Sequence, residues 1–235
     1  MDAIYFLKPR TAFIRFYYDE CAKPFRDIQE KIELGHPPFD DPPYSEDPEP
    51  AFLDQWTDAE AGIEVLGHSS VSMLSETLKL YFQTLQKCVI GFSFSSQEES
   101  ISKKQGFIAA YKAALGAILA TDWSDCPARF DVIEQVVLAR NRSQHGGDLT
   151  SFRVEHEGKT LKKHRRPFFA SEAELRMCDE NAGDSDSVFD SFFHPAIEVT
   201  RDKLFAAIQE ADKCAEWIES RMEKVSEWRR ARVSD

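Results

Sequence analysis

Residues 127–147 read PARFDVIEQVVLARNRSQHGG. Phe130, Ile133, Val136, Val137 and Leu138 fall at helical spacing, and Gly146-Gly147 supplies a stop after His145. The helix is expected to start near Pro127. Arg140 follows Ile133 and Val137 along the same stripe. A guanidinium there extends an apolar seam, where an unpaired charge costs several kcal/mol, roughly. The seam must therefore bring it a partner, water or an anion.

The same periodicity recurs on both sides. Residues 10–34 form a helix with Phe13, Phe16, Tyr17, Ala22 and Phe25 at helical spacing, kinked or divided at Pro24. Residues 54–94 form another, with a break expected at Gly67 and the Ser69-Ser70 pair. Beyond it Val71, Leu74, Leu78, Tyr81, Phe82 and Leu85 make a wide apolar stripe. A third starts near Ser102, carries Phe107, Tyr111, Leu115 and Ile118, and ends by Asp122 and Pro127. The last runs over 195–230, with Pro195 in its first turn and Val199, Leu204, Ile208, Ala211, Ala215, Ile218 and Met222 along one side. Amphipathic helices joined by short connections predict an all-α bundle of about five main helices.

Two inserts interrupt that pattern. Residues 36–50 hold six of the 11 prolines among acidic side chains, which predicts an extended, solvated connection. Residues 150–193 form the second insert. Ser151 to Glu155 alternates, Glu157-Gly158-Lys159 is turn chemistry and Thr160-Leu161 returns, which predicts a β-hairpin before the last helix. An irregular loop reaching Phe193 should follow. The expected organisation is one helical domain spanning 1–235.

The chain has 235 residues, 42% of them hydrophobic and 30% charged, a globular composition. No apolar run reaches spanning length, and MDAIYFLKPR lacks the order of a signal peptide, so a cytoplasmic protein without membrane association is expected. The five cysteines are scattered and show no C-x-x-C spacing, which argues against a disulfide framework or a zinc site. A net charge of −12 argues against a non-specific nucleic-acid coat protein and leaves room for a local basic groove.

Arg140, Asn141 and His145 gather a cation, an amide and an imidazole at one helix end. A histidine with a pKa near 6.5, roughly, can exchange a proton with a 2′-hydroxyl at neutral pH. Arginine keeps its charge and grips phosphate with paired donors, suiting the charge that grows on a phosphorane. That set can cleave RNA without a metal, and no cofactor is called for.

These residues resemble the R-x4–6-H motif of HEPN ribonucleases, with four residues between Arg140 and His145 and a polar residue directly after the arginine. The resemblance covers about half of the chain. It implies a helical bundle in which Arg140 stabilises the transition state, His145 acts as base or acid and Asn141 orients them. It also implies a homodimer whose two motifs face one cleft. Family members commonly serve as toxins or antiviral-defence effectors restrained by an antitoxin-like partner protein. Arg142 and Gln144 within the motif are candidate RNA contacts. So are Lys162, Lys163, Arg165 and Arg166, the densest basic cluster of this acidic chain. Two alternatives stand beside this reading. In one, the chain is a non-catalytic HEPN-like interaction or scaffold module; in the other, the motif is coincidental and Arg140 pairs with a carboxylate such as Glu134.

Overall fold

The computed structural model describes residues 2–44, 46, 49–145, 153–180 and 194–233. Four long helices carry the core: α1 (Ala3–Leu34), α2 (Leu53–Thr84), α5 (Phe130–His145) and α8 (Arg201–Glu219). α1 packs on α2 and α8, and so does α5, so α1 and α5 stand diagonally across a four-helix bundle. Between α2 and α5 come α3 (Ser96–Gln105) and α4 (Phe107–Ile118); α6 (Gly158–Lys163), α7 (Glu172–Glu180) and α9 (Met222–Val233) complete the chain order.

Each helix has a local cause. Asp2 caps α1 by accepting from the Ile4 and Tyr5 amides, and left-handed Gly35 closes it. The helix passes unbroken through Pro9 and Pro24, so the expected division at Pro24 does not occur. Its packed face is Ala3, Leu7, Thr11, Ile14, Tyr18 and Ala22, leaving Phe13 and Phe16 exposed.

α2 likewise runs straight through Gly67, where a break was expected. Gly67 is an approach point instead: a Cβ there would lie 2.6 Å from the Val199 carbonyl oxygen. Beyond α2, a π-helical turn over Leu85–Ile90 ends at left-handed Gly91, and Arg229 donates to the Val89 and Ile90 carbonyls. The third expected helix is two helices. Gly106, at φ 92°, separates α3 from α4, and a Ser95–Glu98 capping box starts α3.

α5 begins at Phe130, and the preceding Arg129 amide donates to Glu210 on α8 at 2.7 Å. A carboxylate at that end complements the helix dipole. α1 and α8 run antiparallel. Lys8 meets Glu216, Thr11 donates to Asp212 at 3.0 Å, and Arg201 holds Asp19 through two hydrogen bonds.

Over its described residues the second insert does not form the expected hairpin. Residues 158–163 are helical, and Glu155 bridges antiparallel to Ala196, far along the chain. Thr160 and Leu161 turn inward from that short helix and are buried. The Ser151 end of the expected hairpin lies outside the described residues, as do 181–193 of the expected loop; the part over 172–180 is α7.

The last helix also starts later than expected. Residues 195–200 are extended, with Pro195, Ile197 and Val199 buried in alternation, and the helix begins at Arg201 after a Thr200 cap. It then breaks at Ser220-Arg221 before α9. Among the described residues, no helix is long and apolar enough to cross a membrane.

Candidate functional site

α5 buries Val132, Ile133, Gln135, Val136 and Ala139. Arg140 lies at the margin of that face and is half-buried. Its Nη1 donates to Asn141 Oδ1 at 3.1 Å, and among the described residues it has no carboxylate partner. Arg15, Arg129, Arg201 and Arg221 each hold one. Glu134, the carboxylate considered for Arg140, is engaged elsewhere: Lys163 hydrogen-bonds to it and His164 stands 3.5 Å away.

Asn141, Gln144 and His145 are exposed. α5 stays helical through His145, so Arg140 and His145 differ by five positions, about 140° around the axis. Asn141 and His145, four apart, share a face. The structure therefore joins Arg140 to Asn141 and leaves His145 directed away from the guanidinium. Gly146 and Gly147 lie outside the described residues.

Residues 153–170 lie antiparallel along α5, held at both ends. Arg142 Nε donates to the Glu155 carbonyl at 2.8 Å, and its guanidinium is 4.0 Å from the Glu157 carboxylate. At the other end the Phe168 amide donates to Gln135 Oε1 at 2.7 Å, beside the Lys163–Glu134 pair. Of the expected RNA contacts, Arg142 and Lys163 are thus spent on this segment, and Arg166 donates to Glu172 at 3.2 Å. Lys162 and Arg165 are exposed.

Glu134 and Gln135, which tie this segment down, were not among the site residues read from the sequence. Nothing in their spacing signals the role, because their partners lie about 30 residues away.

Two histidines sit inside the segment. His156 is buried and its Nε2 lies 2.9 Å from the Phe169 carbonyl oxygen; since a carbonyl only accepts, Nε2 carries the proton. Burial pushes its pKa down, and the neighbouring His164, His194 and Lys203 add to the effect. His164 Nε2 is enclosed, facing Glu134, with no hydrogen bond among the described residues.

A shallow groove between α3 and α4, lined by Ile101, Lys112, Gly116 and Trp123 among others, shares no residue with Arg140, Asn141 or His145. Among the described residues, no three His, Cys, Asp or Glu side chains gather as a metal-binding set. Comparison with protein-family models, curated proteins and solved structures found no match to this chain.

Proposed function

We propose that the chain is a metal-independent endoribonuclease of HEPN type, acting in the cytoplasm as a toxin or antiviral-defence effector. One observation carries this reading. In a chain with 41 acidic and 29 basic side chains, Arg140 is half-buried, steadied by Asn141 and neutralised by no carboxylate among the described residues. Its remaining N–H donors are available to a phosphate, which accepts two at once.

In the reaction, the 2′-oxygen attacks phosphorus and the 5′-oxygen leaves. The 2′-hydroxyl proton passes to a base, and the leaving oxygen takes one from an acid. Arg140 stabilises the phosphorane, and His145 moves the proton. Because the two side chains stand about 140° apart around α5, the reading takes them from two copies whose α5 ends meet, as the HEPN resemblance implies. Lys162 and Arg165 lie on the segment packed along α5 and would extend the contact with the RNA backbone. Restraint would fall to an antitoxin-like partner protein.

The test is RNA cleavage in excess EDTA by wild type, Arg140→Ala and His145→Ala. Wild type should cleave and leave 2′,3′-cyclic phosphate ends, with each variant slower by about 10²-fold or more. Equal background in all three sinks the proposal. A second reading, a non-catalytic HEPN-like interaction module, draws on Arg142 and Lys163 being committed to internal contacts. A folded oligomer that binds no RNA and cuts none would favour it.

A further inference from the structure

α1 is apolar on two faces. One is the packed face against α2 and α8. The other carries Tyr5, Phe6, Phe13 and Phe16, exposed at 70%, 55%, 53% and 61%. Their rings already group: Tyr5 meets Phe6 edge-on at 5.3 Å, and Phe13 lies 6.5 Å from Phe16 and stacks on Tyr17 at 6.2 Å. The rings form two clusters, Tyr5 with Phe6 and Phe13 with Phe16 and Tyr17, with Arg10 between them, and exposed aromatic clusters of this kind mark an interface.

We propose that this face of α1 is where a second copy of the chain docks, two α1 helices crossing antiparallel about a two-fold axis. The charges around the rings select that occupant. Arg10 lies on the N-terminal side of the Phe13–Phe16–Tyr17 cluster, exposed and with no ion-pair partner among the described residues, while Glu20 lies on its C-terminal side, paired among the described residues with Lys23 on its own helix. A two-fold contact sets each residue opposite its counterpart's complement. In the register that places Phe13 against Tyr17 of the second copy, Arg10 faces Glu20 of the second copy, and the pair occurs twice. A parallel arrangement would oppose Arg10 to Arg10.

The interface is separate from the α5 end, because α1 and α5 are diagonal in the bundle. The inference therefore does not rest on the ribonuclease reading. If copies also meet at α5, the two isologous contacts together join more than two chains; if they do not, the assembly is a dimer.

The experiment measures mass by light scattering, with helix content by circular dichroism, for wild type and the double variant Phe13→Glu, Phe16→Glu. Replacing the rings should lower the mass at unchanged helix content, to that of a dimer where copies also meet at α5 and to that of a monomer where they do not. Unchanged mass in the helical variant overturns the proposal, as does a wild type that stays monomeric. A charge-swap series keeps the test independent of the aromatic variant's folding. Arg10→Glu should weaken association about tenfold, and adding Glu20→Arg should restore most of it. Failure of the double swap to recover association rejects the antiparallel register and, with it, the proposal.

Discussion

Burying an imidazole couples folding to protonation, and His156 is where this protein feels it. Burial, against the opposing help of the Phe169 carbonyl, holds its pKa below the ordinary 6.5. Above about pH 6.5 the ring is neutral in both folded and unfolded chains, so it contributes no pH dependence. As pH falls below that value the unfolded chain binds the proton first and stability declines, until the lowered folded pKa is passed. The wild type should therefore lose urea resistance, as pH falls below about 6.5, more steeply than His156→Gln, whose amide can still donate to Phe169. Parallel curves would show that His156 does not control this window. The contact of Arg140 with Asn141 was legible because the two are neighbours in sequence, whereas His145, expected beside them, is turned away by the continuous helix. What surrounds them was not legible: Glu134 belongs to Lys163 and His164, and Arg142 to the Glu155 carbonyl, across gaps that no periodicity reports.

Helix starts show the same division at the scale of elements. The apolar spacing of α2, α5 and α8 was readable because each buries a face against its neighbours. Pro195 misled because a proline fits a first helical turn and an extended strand equally. The signal that distinguished them was the alternation of Pro195, Ile197 and Val199, which puts every second residue inward. Thr200 then ends the extended run, and its hydroxyl accepts from the Lys203 amide at 3.3 Å. Thr200→Ala should cost about 1 kcal/mol of stability, while Thr200→Ser or Thr200→Asn should cost little, as judged by denaturant titration. An alanine variant as stable as the wild type would place the helix start elsewhere. On α1, sequence spacing found the aromatic residues but could not tell which of two apolar faces meets the bundle. That choice is made by Ile14, Tyr18 and Ala22 fitting α2 and α8, a tertiary matter.

At the scale of the whole molecule, the charge of −12 opposes both proposed associations, but added salt acts oppositely on them. Two copies repel at long range, and salt shortens that repulsion to about 10 Å at 0.1 M. The aromatic contact through α1 is insensitive to screening, and the two rim pairs of Arg10 with Glu20, worth about 1 kcal/mol together, are its smaller part. Raising sodium chloride from about 20 mM to about 200 mM should therefore strengthen self-association. RNA binding should move the other way, since each phosphate gripped releases counterions and gives a log–log slope of about −0.7 for single strands. Sedimentation equilibrium of the wild type and fluorescence polarisation of labelled RNA with His145→Ala would measure the two trends side by side. Self-association weakened by salt would mean that charge pairs, and not rings, hold the copies together. RNA affinity indifferent to salt would remove the phosphate grip assigned to Arg140, and with it the physical basis for reading the α5 end as a nuclease site.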